Sequence, residues 1–117
     1  MQLSIIVTHH RTPELLQLCL RSLAEASRDL SCEIMVLDSQ AREETAEMIK
    51  SDWPQIAYFP FKINTGYAKI VNEGLRRSVG EYSLILNADI LAAKDSLQKM
   101  IQNWSSQLMV LELQEEH

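Results

Sequence analysis

The sequence predicts an α/β protein of three layers, with a mostly parallel sheet between two layers of helices. Three observations carry this. Short apolar runs alternate with helix-spaced apolar stripes four times along the 117 residues. The first run, Leu3, Ser4, Ile5, Ile6 and Val7, is nearly unbroken, which marks a central strand covered on both faces. The length suits one domain, assigned to residues 1–113, with residues 114–117 as a frayed tail.

The first strand is read at residues 3–7. Thr12 then supplies a helix cap and Pro13 the first helical position. Leu16, Cys19, Leu20 and Leu23, spaced i, i+3, i+4 and i+7, give that helix its apolar face, so Cys19 is read as core rather than as a reactive thiol. Residues 33–38 form a second strand around Ile34, Met35, Val36 and Leu37. Residues 43–50 form a short helix with Met48 and Ile49 inward, and a segment containing Pro54 breaks it. Residues 56–59 form a third strand, which Pro60 ends. Residues 66–79 suit a helix with Ala68, Val71 and Leu75 inward and Gly80 as its C-cap. Residues 82–86 are a fourth strand. Residues 93–104 follow as a helix with Leu97, Met100, Ile101 and Trp104 in line, and residues 108–113 as a fifth strand.

Composition excludes several function classes. Eleven Lys and Arg against sixteen Asp and Glu leave a net charge of −5, without the basic footprint of a general nucleic-acid binder. Cys19 and Cys32 form no C-x-x-C pair, and with three histidines they cannot build a zinc ribbon. They are read as reduced thiols, which fits the cytoplasm or the cytoplasmic face of a membrane. No apolar run approaches a membrane span, and the stretch at residues 3–7 lacks the flanks of a signal peptide. The three glycines are Gly66, Gly74 and Gly80. With none after the first strand, both the dinucleotide fingerprint and the Walker loop are excluded there.

Ligands of such a sheet sit at the carboxyl ends of its strands, here the loops at residues 8–11, 38–42, 61–66 and 87–91. Asp38 closes the second strand, where it serves either as an acceptor for a ribose hydroxyl or base N–H, or as a turn residue. Asp89, in Asn87-Ala88-Asp89, suits a hard divalent cation shared with a diphosphate, although taken alone the segment reads as a turn. Asn64-Thr65-Gly66 opens a helix whose N–H groups can meet phosphate, with Lys69 one turn in; an ordinary cap is the competing reading. His9 and His10 are adjacent, so on an extended chain they point to opposite faces and at most one meets the cleft.

Taken in order, these residues resemble family 2 glycosyltransferases, inverting enzymes of the Rossmann-like GT-A fold. Residues 3–8 look like the family's opening strand, with His9 and His10 where the family has Tyr-Asn. Residues 33–38 look like its second strand and nucleotide-binding aspartate. The run from Asn64 to Leu75 is similar to its N-x-G…N-x-G-L helix. Leu84-Ile85-Leu86-Asn87-Ala88-Asp89 looks like the strand bearing D-x-D, in the N-x-D form of rhamnosyltransferase-like members. The resemblance implies a nucleotide-diphosphate sugar donor, a divalent metal (Mn or Mg), and transfer of the sugar to an acceptor hydroxyl of a polysaccharide, glycolipid or similar molecule. It implies that Asp38 meets the base or ribose, that Thr8 and His9 line the base, that Lys69 lies near the diphosphate, and that Asn87 and Asp89 hold the donor, with Asp89 on the metal.

The match runs from residue 3 to about residue 101, whereas the family's domain continues into an acceptor half that supplies the catalytic base. No residue here is assigned that role. The expectation is a donor-nucleotide half whose sheet stops after the fifth strand, dimerising through residues 93–104 and 108–113. The loop at residues 39–45 lacks the family's Asn, Gly and Asp, although Glu43 stands where a later acid is expected. An alternative is a non-catalytic interaction module derived from such a transferase. A phosphoacceptor signalling domain shares the alternation, but needs acids after the first strand, where Thr8-His9-His10-Arg11 stands.

Overall fold

A strand with apolar residues on both sides must lie inside a sheet, and the first strand does. A computed structural model of the chain describes residues 2–89. Its elements are β1 (Leu3–His10), α1 (Pro13–Ala26), β2 (Cys32–Ser39), α2 (Glu43–Asp52), β3 (Ala57–Phe61), α3 (Tyr67–Arg77) and β4 (Tyr82–Asn87). The strands pair in parallel in the order β3-β2-β1-β4, with β1 between β2 and β4.

Successive residues of a strand face opposite sides, and the core divides accordingly. Leu3, Ile5 and Val7 pack with Leu16, Cys19, Leu20 and Leu23 of α1 and Ile49 of α2. Ile6, Met35, Leu37 and Ile85 face the other way and pack with Ile70 of α3. Each such side chain, fully withdrawn from water, stabilises the fold by roughly 1.5–3 kcal/mol before the entropy of ordering is counted. Helices α1 and α2 thus cover one face of the sheet and α3 the other.

Four local expectations are corrected. β1 runs three residues further, through His10, because His9 is buried and the ladder continues from Thr8 to Asn87 and on to the Ala88 N–H, which donates to the Thr8 carbonyl at 2.9 Å. β3 passes through Pro60, which is tolerated because β3 is the outermost strand on its side among the described residues. The inner face of α3 is Ile70 and Gly74, flanked by half-buried Val71 and Leu75, while Ala68 is exposed. α3 ends at Arg77 with Ser78 as its cap residue, so Gly80 is not the cap.

Gly80 is required for a different reason. A Cβ there would lie 2.5 Å from the Ser4 backbone nitrogen, so the chain entering β4 passes directly over β1. The Gly80 N–H donates to Ser4 Oγ at 2.8 Å, and the Ser4 hydroxyl donates to Glu33 Oε2 at 2.5 Å. The same carboxylate oxygen accepts the Val79 N–H at 2.9 Å, which ties this connection to β2 as well.

Among the described residues no helix is long and apolar enough to cross a membrane. The helix and strand expected at residues 93–104 and 108–113, the tail at 114–117, and the dimer interface assigned to those elements lie outside the described residues.

Candidate functional site

The alternation that builds the core also decides which side chains reach the carboxyl edge on each face. On the α3 face, Thr8, Ser39 and Asn87 extend the rows begun by Ile6, Leu37 and Ile85. With His10 and Tyr67 they enclose a hollow of about 170 Å³, floored by Ile70. A second hollow of about 210 Å³ shares Thr8, His10 and Asn87 with the first, and adds Thr12, Leu15 and Asp89.

The Thr8 hydroxyl lies 2.6 Å from Asn87 Oδ1 and 3.3 Å from the Leu86 carbonyl. Its single proton goes to the nearer acceptor, which leaves the Asn87 amide NH₂ as the group Asn87 offers to a ligand. Asn64 Oδ1 accepts the Gly66 N–H at 3.3 Å and the Ser39 hydroxyl at 3.4 Å. This local turn leads into α3 through Gly66, whose φ of 89° a side chain would resist.

On the opposite face, His9 and Asp38 are register partners in β1 and β2. Their side chains are each 1% exposed, and His9 Nδ1 lies 2.8 Å from Asp38 Oδ1. The Thr12 backbone N–H donates to His9 Nε2 at 2.8 Å. Nε2 must therefore carry the lone pair and Nδ1 the proton, so His9 is neutral and donates to Asp38. The Tyr58 hydroxyl donates to Asp38 Oδ2 at 2.5 Å. Burial, and then the hydrogen bond and charge of Asp38, push the Tyr58 phenol well above its usual range, so it stays a donor.

Arg11 (φ 59°) and Gln40 (φ 51°) follow directly after β1 and β2, and both are left-handed. Such a conformation costs a non-glycine residue roughly 1–2 kcal/mol. His10 Nε2–H reaches Gln40 Oε1 at 2.5 Å, joining the two turns beside the hollows.

The residues singled out in the sequence therefore divide. Thr8 and Asn87 line both hollows, and Asp89 lines the second. His9 borders the first hollow, but its ring is bonded to Asp38 on the far face. Asp38 lines neither hollow, and both of its oxygens are engaged within the protein. Lys69 is exposed on α3 and lines neither hollow. Sequence reasoning missed Ser39, Tyr67 and Leu15 as lining residues, and Tyr58 as a partner of Asp38. Parity would have found Ser39, which lies two residues past the apolar Leu37, whereas Asp38 lies two past Val36.

Asp89 brings a carboxylate to a hollow lined also by the Thr8 and Thr12 hydroxyls, the His10 imidazole, the Asn87 amide and apolar Leu15 and Ala88; its hard oxygen suits Mg²⁺ or Mn²⁺ when a ligand's phosphates complete the shell. No group of three or more His, Cys, Asp or Glu able to hold a metal unaided occurs among the described residues. Burial, and then the charge of Asp89, push the Cys19 thiol up to about 12, so Cys19 offers no thiolate.

The chain matches the family model described as Glycosyl transferase family 2 over residues 4–110. A curated relative, the uncharacterized glycosyltransferase YfnE of Bacillus subtilis (strain 168), is 33% identical over 104 residues, which cover 86% of this chain and 26% of that protein. The chain thus spans about a quarter of that relative's length. Among solved structures, S. aureus TarS 1-349 in complex with UDP superposes with a TM-score of 0.75 at 22% identity, covering 87% of this chain and 31% of that one. The mannosyltransferase PcManGT from Pyrobaculum calidifontis, in complex with GDP-Man and Mn²⁺, superposes with a TM-score of 0.69 at 26% identity, covering 82% of this chain and 30% of that one. The parallel α/β sheet is that of GT-A glycosyltransferases.

Proposed function

Since the chain belongs to glycosyl transferase family 2, we propose that its two joined hollows bind the nucleoside diphosphate of a sugar-nucleotide donor, for transfer of the sugar to an acceptor hydroxyl. One observation carries this reading. Thr8, Asn87 and Asp89 converge at the carboxyl end of a parallel sheet, where one hollow has an aromatic wall and its neighbour a carboxylate. Neighbours of the same fold are complexes with UDP and with GDP-Man and Mn²⁺, which supports the same ligand class here.

Each residue takes a role from its place. Tyr67 and Ile70 offer an apolar wall to a base or ribose. The Asn87 NH₂, aimed by Thr8, donates to an oxygen of the donor. Gly66 opens the N-terminus of α3 at the first hollow, where backbone N–H groups favour an anion. Asp89 is the residue that would hold Mg²⁺ or Mn²⁺. Charge neutralisation on the departing diphosphate is the chemistry such a bound cation supplies. No described residue is assigned to deprotonate the acceptor. The free thiols of Cys19 and Cys32 fit a reducing, cytoplasmic setting.

The test is calorimetric titration of the chain with UDP and with GDP, each with Mn²⁺ and with a chelator. At least one diphosphate is expected to bind, and more tightly with Mn²⁺. Binding of neither overturns the proposal.

A further inference from the structure

The buried chain Tyr58–Asp38–His9–Thr12 links the far face of the sheet to the turn that borders both hollows. We propose that Asp38 is a positioning residue, acting through His9 on the β1–α1 turn, and not a contact to the nucleotide. The inference goes beyond the functional reading above and rests on it only for its binding measurements.

A carboxylate can only accept, so Asp38 fixes the His9 proton on Nδ1. That choice leaves Nε2 as the acceptor for the Thr12 N–H, three residues further along the chain. Thr12 is the cap residue of α1, and its own side chain makes no capping bond. Between His9 and Thr12 lies Arg11, held left-handed at φ 59°. The His9 ring thus closes a strained turn by replacing a backbone acceptor with a side-chain nitrogen. His10 projects from this turn into both hollows, and Thr12 and Leu15 carry its geometry to the hollow of Asp89. Asp38, 1% exposed and with both oxygens engaged, has no surface to present to a ligand.

Asp38→Asn tests the link, because an amide can also donate. With the amide NH₂ facing Nδ1, the proton moves to Nε2 and opposes the Thr12 N–H. Nitrogen-15 NMR of the intact chain should show wild-type His9 protonated on Nδ1. In Asp38→Asn the proton should shift to Nε2, and the Thr12 amide should lose protection from hydrogen exchange. Affinity for UDP or GDP with Mn²⁺ should fall about tenfold. On a His9→Ala background, Asp38→Asn should cost less than about twofold more, since both changes break one path. Tyr58→Phe, which leaves the His9 link intact, should keep the Nδ1 tautomer.

A wild-type proton on Nε2, unchanged Thr12 protection in Asp38→Asn once the His9 proton has moved to Nε2, or a full tenfold loss on the His9→Ala background each overturns the proposal. Should neither nucleotide bind the wild type, the functional reading fails, and the tautomer and the Thr12 amide still decide this one. Should Asp38→Asn not fold, or keep the proton on Nδ1 by turning its amide oxygen to His9, His9→Asn replaces it. That variant keeps a donor to Asp38 and has nothing at Nε2, so retained Thr12 protection there overturns the proposal.

Discussion

The Thr8 hydroxyl and the Asn87 side-chain carbonyl lie 2.6 Å apart at paired positions of β1 and β4, at the junction of the two hollows. The bond spans 79 positions of sequence and sets which end of the Asn87 amide a ligand meets. Thr and Asn are ordinary turn residues when taken separately. The parallel register turns them into an oriented donor.

Thr8→Val keeps the shape and removes the hydroxyl, so Asn87 is free to rotate. Nucleoside diphosphate affinity should fall about three- to tenfold, the scale of one neutral hydrogen bond. Thr8→Ser should retain affinity within about twofold. Calorimetry on the two variants decides this, and equal affinity in Thr8→Val and wild type removes Thr8 from the site.

Gly80→Ala should destabilise the chain by about 1–3 kcal/mol, because its Cβ would sit 2.5 Å from backbone that cannot yield. Gly74→Ala meets the side chains of Ile6 and Leu37 at 2.7 Å, atoms better able to shift, and should cost less. Urea denaturation of the two variants gives the order, and a reversed order contradicts the packing described for β4.

Much of this fold was legible because its signals are local. The nearly unbroken apolar run from Leu3 to Val7 demands a central strand, and the stripe from Leu16 to Leu23 an inward helix face. What was not legible depends on which side of the sheet a residue takes. Asp38 looked like the ligand acid because acids at strand ends often are. Its parity with Val36 turns it instead toward Tyr58, which is 20 residues away in sequence and joined to it only through the β2–β3 pairing. Motif position assigns Lys69 to the diphosphate, but in the structure it is exposed on α3 and lines neither hollow, although its neighbour Ile70 does. Gly80 read as a cap from residue type, and only the approach to Ser4 shows its purpose.

Alkaline pH should destabilise the chain in part through Cys19, with the raised Tyr58 phenol acting in the same direction. The Cys19 thiol is raised from 9.0 to about 12, first by burial and then by the charge of Asp89. The folded state therefore holds this proton where the unfolded state releases it. The associated stability is intact below pH about 9 and is lost progressively as pH rises toward about 12. Cys19→Ala should lower stability at neutral pH, through the lost packing, and flatten the decline above pH about 9. Thermal melts of both proteins across that range test this, and parallel declines would sink it.

Asp89→Asn joins the proposed cation site to the same thiol and so has two independent readouts. The substitution preserves shape while removing the charge and turning one acceptor oxygen into a donor NH₂. If Asp89 holds the cation, the gain in nucleotide affinity on adding Mn²⁺ should disappear, while affinity in chelator stays within about twofold of wild type. The charge of Asp89 is also the second cause of the raised Cys19 pKa, after burial. The thiol should therefore titrate at lower pH in Asp89→Asn, yet remain above its ordinary value because burial is unchanged. Thiolate absorbance followed against pH measures this without any ligand. A fallen Cys19 pKa with an intact Mn²⁺ effect would leave Asp89 where the structure puts it and remove it from the metal site. An unmoved Cys19 pKa would show that burial alone holds the thiol up.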